Sequence, residues 1–149
     1  MSEHHATITW EKGSEPFTYQ TYTRDHVWSF KDGQKFEASA AASFLGNPAL
    51  VDPEDAMVAS LSSCHMLTLL AVATKKKYVI EDYTDKAVGF LEKNDDGKLA
   101  LTRVILRPRI TFSGDQQPDE AALAQLHDIA HRECFIANSV KTEVTVEAP

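Results

Sequence analysis

The stretch Asp52-Pro53-Glu54-Asp55-Ala56-Met57-Val58-Ala59-Ser60-Leu61-Ser62-Ser63-Cys64-His65-Met66 constrains this chain most, because it opens a long helix that only surrounding protein can satisfy. Asp52 offers a carboxylate to the unpaired N–H groups of the first turn. Pro53 supplies the backbone angle of a first helical residue, and Glu54 and Asp55 face the positive end of the helix dipole. Glu54, Met57, Leu61, Cys64 and Thr68 recur at spacings of three and four, which predicts one inward stripe with Cys64 in it. Leu67, Leu69, Leu70, Ala71 and Val72 make the second half apolar on most sides. Lys75-Lys76-Lys77 then matches the negative end, so a central helix is expected over 53–77.

Around that helix the pattern is β. Within residues 1–31 the runs Ala6–Trp10, Phe17–Thr23 and His26–Phe30 are β-branched and aromatic, broken by Gly13-Ser14 and Arg24-Asp25, and predict short antiparallel strands. Residues 31–52 show no clear period and read as a connecting loop. Tyr78–Lys93 and Lys98–Phe112, joined by Asn94-Asp95-Asp96-Gly97, predict a hairpin over 78–112. Pro118-Asp119-Glu120 opens a second helix, 118–134, whose apolar face carries Ala121, Leu123, Ala124, Leu126, Ile129 and Ala130 and which runs into Cys134. Val140, Thr142, Val144 and Val146 alternate with charged or polar neighbours, predicting a half-exposed final strand over 140–147. The order βββ-α-ββ-α-β makes an α+β domain over 1–149, not a doubly wound sheet.

Composition narrows the function. At 149 residues and 43% hydrophobic content the chain can build a core without disulfide staples. A net charge of −7 argues against nucleic acid as partner, since phosphate binding draws on clustered Lys and Arg. Residues 1–20 hold no secretory core, and no membrane-spanning stretch is evident, so a cytoplasmic location is expected. In that reducing compartment the two cysteines are expected to be free, catalytic or metal-bound.

Several side chains are candidates for chemistry. Cys64 and Cys134 lie 70 positions apart, each in or at the end of a predicted helix. Cysteine commonly packs as a small hydrophobe, and spacing leaves that reading open beside a redox pair. Glu54 shares the stripe of Cys64, where a buried carboxylate needs a cationic partner. Arg24, in a turn between two strands, is the candidate, unless it forms a solvated turn pair with Asp25. A guanidinium near Cys64 would lower the thiol pKa. His127, His131 and Cys134 fall at i, i+4 and i+7, and with Cys64-His65 they make a zinc or iron site conceivable, although no C-x-x-C pair is present. His4-His5 reads as a terminus. Ser60, Ser62 and Ser63 lack a Gly-x-Ser-x-Gly elbow, and there is no phosphate loop or dinucleotide fingerprint.

The segment Asp52-Pro53-Glu54-Asp55 through Cys64, with Cys ten positions after Glu54 and a second cysteine after a second helix, resembles the OsmC/Ohr family over nearly the whole chain. The resemblance implies antiparallel sheets wrapped around a long central helix in an intertwined homodimer. It implies a thiol peroxidase acting on organic hydroperoxides without a cofactor or metal, recycled by an external dithiol, which lipoyl proteins provide in Ohr-type relatives. Carried over by residue, Cys64 is the peroxidatic thiolate, Cys134 the resolving thiol, and Glu54 the carboxylate holding an active-site arginine. Met57, Leu61 and Phe135 would favour an alkyl chain. Two departures stand out: Phe135 follows Cys134 where many members have Pro, and residues 41–51 contain no arginine, which leaves Arg24, with His26 or His65 sharing its role. Alternatives are a non-catalytic ligand-binding or structural module of the same fold, and a metal-binding protein.

Overall fold

The structure, a computed structural model, describes residues 1–147; the end of the expected 1–149 domain therefore lies outside the described residues. The chain packs as two compact units, residues 1–56 and the remainder from Met57.

In the first unit β1 (Thr7–Thr9), β2 (His26–Ser29) and β3 (Lys35–Ala38) form an antiparallel sheet in the order β1-β2-β3. β3 lies inside the stretch expected to be loop, entered through a tight turn in which Asp32 and Gly33 both take positive φ. Phe17–Thr23, expected to be a strand, is a series of turns instead. The amides of Thr21 and Tyr22 donate to the Thr18 carbonyl at 3.1 and 3.0 Å, and the Thr21 hydroxyl donates to the Pro16 carbonyl at 2.5 Å. Threonine hydroxyls so placed offer the backbone a local alternative to a ladder. The aromatic residues that suggested a strand pack on one another, with Trp10, Phe17 and Tyr22 ring centroids 5.4–6.4 Å apart.

The helix α1 (Pro53–Lys75) begins at the end of this unit and continues into the second. Its start is as expected from sequence: the Asp55 amide donates to Asp52 Oδ1 at 2.8 Å and the Asp52 amide to Asp55 Oδ2 at 3.2 Å, a reciprocal cap. It stops two residues before the predicted 77. Lys77 takes φ +63°, its amide donates to the Thr74 carbonyl, and the Tyr78 amide reaches back to Ala73 at 3.0 Å. Those bonds satisfy the terminal carbonyls in the usual left-handed cap, here without glycine.

In the second unit the predicted hairpin over 78–112 is four strands. β4 (Val79–Asp85) pairs with β7 (Pro108–Ser113), and β5 (Val88–Lys93) with β6 (Leu99–Leu106), all antiparallel. The runs break where the Arg107 amide leaves the ladder to donate to Asp85 Oδ1 at 2.6 Å. The order is thus βββ-α-ββββ-α-β. β8 (Glu143–Val146), shorter than the expected 140–147, pairs with β6 in parallel, not antiparallel. Parallel pairing needs a crossover, and α2 (Glu120–Glu133) lies within it. Asp119 caps α2 by accepting from the Ala122 amide at 2.8 Å.

Two apolar clusters organise the second unit. Leu61 packs with Val104, Leu106 and Val144, and Leu69 packs with Leu126 and Ala130. The α1 helix presses so closely on β5 that a Cβ at Gly89 would sit 2.6 Å from Val58 Cγ2. The buried line of α1 is Leu61, His65, Leu69 and Ala73. It is a strict four-residue repeat displaced one position from the predicted stripe, so Cys64 sits at the seam's margin, half-buried, and His65 at its centre. The helix is also long and apolar enough to cross a membrane by length and composition, against the sequence expectation of no such stretch; here that buried line packs on protein.

Candidate functional site

In the second unit α1 and α2 bring the two sulfurs together. Cys64 lies midway along α1, half-buried; Cys134 is the buried residue that ends α2. Both are free thiols. Burial pushes the Cys134 thiol above its ordinary pKa, and the nearness of Cys64 raises it further, against the Ala137 amide that donates to Cys134 Sγ at 3.4 Å.

Next to this pair lie groups whose arrangement sequence reasoning missed. His65 is 1% exposed. Its ring lies edge to edge with that of His127 from α2, with centroids 5.2 Å apart, planes inclined by 9°, and Nε2 2.9 Å from His127 Nδ1. Burial, then the proximity of His127 and His131, lowers the His65 pKa to about 4. Burial also lowers that of His127, opposed by Asp128 and Asp85. On β4, Asp85 accepts from the Ser62 hydroxyl at 2.5 Å, and the buried Tyr83 hydroxyl has no partner among the described residues. Burial and then Asp85 hold the Tyr83 phenol far above its ordinary value. The signal that could have found the histidine pair was His65 at four residues from both Leu61 and Leu69. Among the described residues no three His, Cys, Asp or Glu side chains group to hold a metal ion, and His65 and His127 face each other in a hydrogen bond.

Arg24 and Glu54 line a cavity of about 570 Å³ in the first unit, with Trp10, Phe17, Tyr22, His26 and Phe44. The Arg24 guanidinium lies 3.6 Å over the Tyr22 ring and 5.1 Å from that of Tyr19, and donates to the Tyr22 and Tyr19 carbonyls at 2.7 and 2.5 Å. These carbonyls, not Asp25, are its partners. Glu54 makes no ion pair among the described residues; burial and then the Asp52 charge raise its pKa. His26 is held by two hydrogen bonds. Trp28 Nε1 donates to its Nε2 at 2.9 Å, so the proton sits on Nδ1, which bonds the Arg24 carbonyl at 2.7 Å. Of the expected apolar wall, Met57 is half-buried, Leu61 belongs to the core, and Phe135 is 81% exposed, because it follows the helix end and points outward.

A model of the family described as OsmC-like protein matches residues 46–148. Among solved structures, the chain is similar to an OsmC-like protein of unknown function from Vibrio cholerae O1 biovar eltor str. N16961, at 50% identity over 100% of both chains with a TM-score of 0.95. It shares its fold with an organic hydroperoxide resistance protein from Elizabethkingia anophelis, at 22% identity, TM-score 0.72, covering 100% of this chain and 98% of that one. The fold recurs in an organic hydroperoxide resistance protein OsmC from Legionella pneumophila, at 19% identity and TM-score 0.71, with coverage of 99% and 97%. A search of curated proteins finds no match.

Proposed function

Since this chain belongs to the OsmC-like protein family, we propose that it is a thiol peroxidase that reduces organic hydroperoxides through Cys64 and Cys134. The observation that carries the reading is the approach of two free thiols, Cys134 at the end of α2 beside Cys64 on α1. The Cys64 thiolate attacks the O–O bond, the alcohol leaves, and Cys64 becomes a sulfenic acid. Cys134 then attacks that sulfur, a disulfide forms, and water departs. The sum is one hydroperoxide and two thiols converted to one alcohol, one water and one disulfide. An external dithiol, a lipoyl protein being the candidate, restores both thiols by exchange. The chemistry uses no cofactor. In this reading Arg24 and Glu54 are the charged residues that the family resemblance gives to the site, and an organic hydroperoxide is favoured over bare hydrogen peroxide, since burying each CH₂ contributes about 0.8 kcal/mol.

The reading includes a cytoplasmic homodimer. Ala59, Ser63, Leu67 and Ala71 form an exposed line along α1, with Leu67 60% exposed. Small residues flanking an exposed leucine at helical spacing suit a second α1 from another copy. Purified protein given cumene hydroperoxide and dihydrolipoamide is expected to consume the peroxide, and after one equivalent without reductant to lose two hydrogens by mass. Cys64→Ser is expected to abolish turnover, and Cys134→Ser to stall after about one peroxide per subunit. Turnover undiminished in Cys64→Ser removes the proposal. The alternative, a ligand-binding module with packing cysteines, draws on the burial of Cys134, and inert thiols on titration with peroxide would favour it.

A further inference from the structure

The His65–His127 contact admits one proton arrangement. A hydrogen bond at 2.9 Å between His65 Nε2 and His127 Nδ1 needs a proton on one of them. If His127 donated, His65 would carry its proton on Nδ1, which is buried without a partner among the described residues. An orphaned N–H costs more than an orphaned lone pair that a ring can leave bare. So His65 carries its proton on Nε2 and donates, and His127 accepts on Nδ1 with its own proton on Nε2. A further proton has no place in this pair. On His65 it would land on the partnerless Nδ1; on His127 it would remove the acceptor and set two N–H groups against each other.

The position of the pair gives it a consequence. His65 is the neighbour of Cys64 on α1, and His127 lies two helical turns before Cys134 on α2. We propose that His65 and His127 are positioning residues that clamp α1 to α2 while both rings are neutral, holding Cys134 against Cys64, and release the seam when either ring takes a proton. The charged groups that act on the pair are His131 and Asp128 on α2 and Asp85 on β4, which also accepts from Ser62 on α1. His131 opposes protonation of His65. Asp128 and Asp85 favour it on His127, against the burial of that ring. The consequence for catalysis rests on the reading that the two thiols join in a disulfide.

The test follows the exposure of Cys134, which is 1% accessible and must be uncovered to react. In a Cys64→Ser background, 4,4′-dithiodipyridine labels Cys134: the thiolate attacks the reagent disulfide, a mixed disulfide forms and one thiopyridone leaves. The rate is divided by that of the urea-unfolded chain at the same pH, which cancels the reagent chemistry. Between pH 7.5 and pH 5 the protection of Cys134 is expected to fall about 30-fold, the linkage for His65 moving between about 4 and 6.5 on opening. In the same background His65→Gln with His127→Asn keeps an N–H donor and an oxygen acceptor near those two positions without a titrating ring, and its protection is expected to stay flat. Protection that is flat in the parent, or that falls equally in the double variant, overturns the proposal. Should the double variant not fold, ¹⁵N spectra of the unaltered protein at pH 6 decide: both rings neutral with protons on Nε2 supports the clamp, and a proton on His127 Nδ1 refutes it. Peroxide is absent from these measurements. A chain inactive as a peroxidase that still shows pH-gated labelling keeps the clamp, and an active one with flat labelling loses it.

Discussion

Arg24 in the first unit and His65 in the second are both ionisable side chains among aromatic or apolar neighbours, and the chain accommodates them in opposite ways. Arg24 stays charged. It stands half-buried, spreads its guanidinium over Tyr22 and spends its N–H donors on carbonyls of its own loop. His65 is enclosed and gives up its charge, taking a neutral partner in place of a carboxylate. A cation that cannot lose its proton must keep water or carbonyls within reach. A histidine can shed its proton and enter the core. The first arrangement is insensitive to pH near neutrality, whereas the second depends on it.

The contrast can be broken from either side. The largest effect is expected in the buried seam: Leu69→Ala, from a fully buried position, should cost about 2–5 kcal/mol in urea unfolding, whereas Phe17→Ala, 66% exposed in the aromatic patch, should cost far less. Acid should come next. His65 has a folded pKa of about 4 against 6.5 when unfolded, so its neutral form favours the fold fully above pH 6.5 and that contribution is lost as pH falls toward 4. The loss amounts to about 3 kcal/mol at most and should appear as a falling urea midpoint, absent from His65→Gln/His127→Asn. A smaller change, about 1 kcal/mol, is expected on removing the α2 cap with Asp119→Ala, read from the same unfolding curve. The smallest is Arg24→Gln, about 0.5–1 kcal/mol for a half-exposed cation over an aromatic ring, with no dependence on pH between 5 and 8. A pH-dependent loss at Arg24 would mean that the two regions do not differ as described.

Much of this was legible before any coordinates. The Asp52-Pro53 start of α1, the Asp119 start of α2 and the turn at Asn94–Gly97 rest on local chemistry, and each occurs where its residues indicate. The approach of Cys64 and Cys134 was only permitted by sequence, because nothing in a spacing of 70 residues says which faces of two helices meet. The inner stripe was displaced by one position for a related reason. At 100° per residue, Leu61-Cys64-Thr68 and Leu61-His65-Leu69 are almost equally good lines, and the choice fell to the packing of Leu61 on Val104 and Leu69 on Leu126.

What the amino-acid order by itself determined is the set of local commitments: where helices may begin, where turns fall, how many thiols there are and which residues share a helix face. Tertiary structure alone decided that the 78–112 hairpin breaks at Asp85 and Arg107 into two strand pairs, that β8 runs parallel to β6, and that a histidine occupies the centre of the α1–α2 seam. The physical reason is that capping and turn bonds close within a few residues and are written in neighbours. The pairing of β8 with β6 and the burial of a neutral imidazole are settled by partners 40 and 62 residues away, whose energy exists only once the chain has come together.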